Sequence, residues 1–190
     1  MSNINVSSFS QTNSWAMVHG LWLGLWGLLT LFAIGFSFVG NYWFGLISNF
    51  MFLGSPVFVY LLSLRFKHKI AGHHDGFSFI KGFSHTFLMC IYASLWLALG
   101  VYVFFAYIDN GSFFDAYELQ LNSPLLQTEL KRMGLTEVFD QVGGTKKFVN
   151  ILRSVSPANY SSLIIYFTII FGPFISLIIG WLLRTNIRKN

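Results

Sequence analysis

The sequence predicts an all-α membrane protein: a four-helix transmembrane bundle with an extramembrane amphipathic helical insertion between spans three and four. Three observations carry this. Hydrophobic residues make up 54% of the 190 positions and charged residues only 10%, against about 25% charged in an ordinary soluble domain. A chain this short has too little interior to hide so much apolar surface from water, and a bilayer supplies the missing cover. Four long stretches are also free of Asp, Glu, Lys and Arg, and a mixed polar segment separates the last two.

The spans read as residues 16–39, 42–64, 86–108 and 161–183. At 1.5 Å rise per residue each reaches roughly 33–36 Å, enough to cross a hydrocarbon core of about 30 Å. Lipid offers no hydrogen-bond partners, so each span must be helical. Residues 1–15 hold no Lys or Arg, so span one lacks the positive flank of a cleaved signal peptide.

Orientation follows from the bases. The link between spans one and two is only Gly40-Asn41, whereas the link between spans two and three carries Arg65, Lys67, Lys69 and Lys81 against Asp75. The segment after span four carries Arg184, Arg188 and Lys189. Both basic segments fall on one side, which the positive-inside rule makes cytoplasmic, together with both termini. Trp15, Trp43 and Trp181 fall near span ends, as interfacial aromatic belts require. The net charge of +5 is thus read as topology and contact with anionic lipid, and nucleic acid is not expected as a partner.

Residues 109–160 face outward on this reading, with six acids and five bases. Ser123-Pro124 is an N-cap followed by proline at the first helical position. Leu126, Leu130 and Met133 then share a face, and Gly134 can end the helix. A second helix starts at Thr145, with Phe148, Ile151, Leu152 and Val155 at i, i+3, i+4, i+7 and Lys146, Lys147, Asn150 and Arg153 elsewhere on the wheel. That pattern suits a helix lying on a membrane surface, so these four apolar residues are the candidate interfacial contact. The plainer alternative is a cover over the ends of the bundle. Ser156-Pro157 caps the entry to span four.

Three further features bear on function. His68, His73, His74 and Asp75, with His85 beyond, are zinc-compatible residue types. Their spacing matches no metal pattern, and a solvated basic loop is the expectation, with no metal. His19 lies just inside span one and His85 at the start of span three, where a group at membrane depth is a functional hypothesis by default; snorkelling or a backbone carbonyl would satisfy either. Gly20 and Gly24, with Gly27 beyond, have the small-xxx-small spacing that lets helix backbones approach, either within the chain or with another protein. Gly54 and Pro56 in span two and Gly172 and Pro173 in span four are helix breaks at corresponding positions, a pattern that marks binding sites in some transporters. No span carries a carboxylate to couple an ion. No catalytic motif, cofactor motif or lipidation signal is present, and the lone Cys90, mid-span, is expected to be unreactive.

Arg65-Phe66-Lys67 after span two and Gly76-Phe77-Ser78-Phe79-Ile80-Lys81-Gly82-Phe83 before span three resemble a family of small four-span proteins from Bacteroidota known as a domain of unknown function. The order of spans and the long third connection resemble it too. The resemblance implies a Gram-negative inner membrane and no activity, cofactor or site. The expected function is non-enzymatic: a structural or accessory subunit binding membrane lipids or a membrane partner, whether another protein or a second copy. The alternative is a small oligomeric transporter with its site near the Gly/Pro breaks.

Overall fold

The computed structural model describes residues 3–38, 42–70 and 76–185. Among them there is no strand. The helices are α1 (Asn3–Phe38), α2 (Tyr42–Ile70), α3 (Phe79–Val103), α4 (Ser112–Leu121), α5 (Pro124–Arg132), α6 (Thr136–Val142), α7 (Thr145–Ser154) and α8 (Pro157–Leu183). A π-helical turn, Phe104–Ile108, prolongs α3. Four of these, α1, α2, α3 and α8, are long and apolar enough to cross a membrane. The protein is a multi-pass membrane protein with an all-α transmembrane bundle.

Each long helix overruns the span read from the sequence, α8 by residues 157–160. Helix α1 begins at Asn3, and its 36 residues are about 54 Å long, more than a bilayer needs. Helix α2 runs on to Ile70 with Lys67, His68 and Lys69 in its last turn, where cations complement the helix dipole. Helix α3 starts at Phe79 instead of Thr86, because the Ser78 hydroxyl accepts from the Lys81 N–H at 3.3 Å and caps it there. Charge limits what hydrocarbon can cover, whereas hydrogen bonding decides where a helix stops. Val39, Gly40, Asn41, His73, His74, Asp75, Arg188 and Lys189 lie outside the described residues.

Helix α3 is the hub, packing against α1 on one side and α8 on the other, while α2 leans mainly on α1. The main core lies towards the end holding the α2–α3 link, here called the basic end. Ala16, Val59, Leu62, Phe66, Phe77, Met89, Ile179 and Leu183 meet there from all four long helices and the link. The backbone N–H of Phe77 donates to Thr185 Oγ1 at 2.9 Å, and the N–H of Thr185 donates to the Phe77 carbonyl at 3.1 Å. This reciprocal pair ties the link to the chain leaving α8.

The insertion has a second core of Phe114, Leu121, Leu130 and Val149. Phe105 and Tyr160, their rings stacked with centroids 5.0 Å apart, pack against it and join it to the ends of the bundle. Asp109 sets the first turn of α4: its buried carboxylate accepts from the Phe113 N–H at 2.7 Å and from the Ser112 hydroxyl at 3.0 Å. The Ser123 cap on α5 and the Ser156 cap on α8 form as their sequences require.

Candidate functional site

A polar joint crosses the basic half of the bundle. His19 on α1 and His85 on α3 are both buried, with His19 Nδ1 3.0 Å from His85 Nε2. Neither ring snorkels; in the neutral pair one imidazole donates and the other accepts. The His85 ring stacks on Phe66 of α2 with centroids 4.0 Å apart, and Trp15 stands 5.3 Å from His19. The next residue, Thr86, pairs with Ser63 of α2 at 3.0 Å and also donates to the Gly82 carbonyl at 2.9 Å. One turn of α3 therefore hydrogen-bonds to two neighbours at once. His85 Nδ1 is buried without a hydrogen-bond partner. Among the described residues no three His, Cys, Asp or Glu side chains gather as a metal would need. His68 is exposed on α2.

Two glycine seams hold α3 to its neighbours. A Cβ placed on Gly20 would lie 2.5 Å from the Tyr92 Cβ and 2.9 Å from the Met89 carbonyl oxygen. One on Gly24 would lie 2.8 Å from the Trp96 Cβ, and one on Gly27 3.1 Å from a Leu97 methyl. These three glycines therefore face α3 within the chain. The second seam pairs Gly82 with Gly180: a Cβ on Gly82 would sit 3.2 Å from the Gly180 Cα.

The Gly/Pro breaks lie against different helices. Near Gly54 and Pro56, the Trp26 indole of α1 donates to the Met51 carbonyl and to the Ser55 hydroxyl, both at 3.2 Å. Trp26 also stacks on Phe58. A Cβ on Gly172, beside Pro173, would meet the Phe87 ring of α3 at 3.7 Å, and Ser176 donates to the Gly172 carbonyl. Both helices continue through their prolines.

In the insertion, Phe148 and Leu152 of α7 pack on the second core, while Ile151 is 49% exposed and Val155 is half-buried. Val149, outside the row read from the sequence, is the fully buried residue of α7. The Arg153 guanidinium donates to the Asp115 carboxylate of α4 at 2.6 Å. Above this core lies an apolar hollow of about 430 Å³, whose walls include Phe38, Leu126, Phe139 and Phe148. Phe38 is the last residue of α1 and is held edge-on by Phe113 and Tyr117.

The signature of the family described as "Protein of unknown function (DUF4199)" matches residues 14–185. The chain belongs to this family. No curated protein and no solved structure matches it. The match covers the four spans and the whole insertion of this DUF4199 chain, so both its polar joint and its hollow lie inside the family domain.

Sequence reasoning placed His19 and His85 near the membrane boundary but did not join them. They stand 66 positions apart, and no local pattern links such a pair. A usable signal existed: a lone buried imidazole needs a partner, and each was the other's best candidate at matching depth. The Gly82–Gly180 contact was missed too, although Gly172, Ser176 and Gly180 repeat at small-xxx-small spacing along α8.

Proposed function

We propose that this chain is a non-enzymatic structural or accessory subunit of a bacterial inner membrane, with both termini cytoplasmic, that binds lipid or a membrane partner. The observation that carries this reading is the contrast between inside and outside. Inside, His19 pairs with His85 and Ser63 with Thr86, and the glycine seams are closed, which suits a fixed body more than a pathway. Outside, the half of α2 towards the insertion turns Trp43, Phe50, Phe52 and Leu53 away from the bundle, Phe50 being 77% exposed. Ile151, with Lys146 and Lys147 on the same helix, suits contact with a membrane surface. A transporter draws less support, since Trp26 already occupies the α2 break and the α8 break faces α3. Basic residues at the end of α2, at the start of α3 and after α8 support the orientation.

The test is capture in the membrane. A photocrosslinking amino acid replaces Phe50, the cells are irradiated, and the chain is purified in mild detergent. One recurrent protein adduct is the expected result. Adducts with lipid alone would remove the partner from this reading. Selective uptake of a solute by proteoliposomes would favour the transporter instead.

A further inference from the structure

We infer that the hollow of the insertion holds one acyl chain of a membrane phospholipid; this rests on the reading of the protein as lipid-binding and names the ligand and its seat. Protein interiors are close-packed, with few voids larger than a water molecule. Apolar walls left open to water favour an apolar ligand that covers them. About 430 Å³ falls within the range of small-ligand pockets, roughly 300–1,000 Å³. The second core shows why the space stays open. Leu121, Leu130 and Val149 are buried, but Val138 of α6 lines the hollow and is still 54% exposed. Helices α5 and α6 form its walls without closing it.

Location selects the occupant. Phe38 lines the hollow and also ends the membrane-crossing helix α1. The Phe38 wall therefore stands at the end of a membrane-crossing helix, near the depth at which acyl chains meet headgroups, so an acyl chain has a short route to the hollow. A soluble apolar compound would have to arrive through water, and a protein helix is too wide for this volume. The polar groups present suit the rest of a phospholipid. Tyr117 and Gln120 are the wall residues with polar tips at the α4 side, placed to meet ester oxygens. Lys147 lays its stem over Gly143, next to the wall residue Val142, and its ammonium, with that of Lys146, can meet a phosphate. The site accordingly prefers an anionic headgroup.

The full chain, purified in mild detergent, is loaded with phosphatidylglycerol carrying a photoreactive group near the end of one acyl chain. After irradiation the attachment sites are mapped by mass spectrometry. Labelling at Leu126, Phe139 or Phe148 is expected, with weaker labelling from the phosphatidylcholine analogue. Val138→Trp, which fills the hollow from its rim, should reduce that labelling several-fold while labelling of the lipid-facing side of α8 stays constant. Lys147→Glu should abolish the preference for phosphatidylglycerol and leave the site itself. Labelling confined to the outer faces of the long helices in the unmodified protein overturns the inference, and so does equal labelling in Val138→Trp. If a photoreactive free fatty acid labels the hollow more strongly than either phospholipid, the occupant is not a bilayer lipid. A protein adduct at Phe50 that persists with an empty hollow would show that the accessory-subunit reading stands without this site.

Discussion

The α1–α3 seam makes a quantitative demand on single methyl groups. In Gly20→Ala the new Cβ would sit 2.5 Å from the Tyr92 Cβ and 2.9 Å from the Met89 carbonyl oxygen, and in Gly24→Ala 2.8 Å from the Trp96 Cβ and 3.1 Å from the Ala93 carbonyl. The obstructing atoms are backbone and first side-chain carbons, which no rotamer change can move. Restoring an ordinary contact of about 3.5–4.0 Å means parting the helices by about 1 Å, enough to forfeit a quarter to a half of each contact energy along the seam. Overpacking of this kind costs about 1–3 kcal/mol. Replacing a helix glycine by alanine returns about 0.5–1 kcal/mol, so the net loss expected is up to about 2.5 kcal/mol at each site. Gly35→Ala is the control, since nothing lies within 4 Å of its Cβ position. Gly100→Ala is intermediate, because it meets only the flexible end of Leu28. Denaturation in one detergent should rank the proteins Gly35→Ala, Gly100→Ala, then Gly20→Ala and Gly24→Ala, with Gly24→Leu below all of them. If Gly20→Ala and Gly24→Ala match Gly35→Ala, the helices do not touch as described and the close-approach argument fails.

Two further outcomes are expected. His85→Leu should strand the His19 nitrogen and lower stability by about 1–3 kcal/mol, whereas the double variant His19→Leu/His85→Leu should regain part of that loss; strictly additive effects in a thermal double-mutant cycle would mean the rings are not coupled. For topology, alkaline phosphatase fused at Gln120 should be active and at Gly72 inactive, and the opposite result would invert the orientation.

Much of the fold was legible because charge is scarce. A helix in lipid must exclude ionised groups, so the long gaps between Lys, Arg, Asp and Glu mark the membrane-crossing stretches, and only Gly40-Asn41 divides the first gap into two spans. The ends were less legible: Arg65, Lys67 and Lys69 ride on α2 because only solvation, not helix formation, stops at the boundary. In the insertion the proline-flanked caps at Ser123 and Ser156 were visible. Helices α4 and α6 were not: α4 depends on the Asp109 carboxylate and α6 is only seven residues long, too short to show a period. The α7 row was read one residue off its centre, since Val149, not Ile151, meets Phe114 and its neighbours. At the sites, the spacing of Gly20 and Gly24 announced a close approach but not its partner. The hollow beside Phe38 arises from tertiary placement alone, and the His19–His85 joint left only the hint of two polar groups at matching depth.

The reciprocal hydrogen bonds between Phe77 and Thr185 have a consequence for how the molecule is made. During synthesis the α2–α3 link emerges long before the fourth span. Until Thr185 arrives, the Phe77 N–H and carbonyl must find other partners, and the pocket that Leu183 fills beside Phe66 stands open. The nascent three-span intermediate thus has an unsealed basic end. Docking of α8 along the Gly82–Gly180 seam closes that end like a zip drawn towards Thr185. A chain interrupted before Thr185 would present to quality-control proteases an edge that the finished protein conceals.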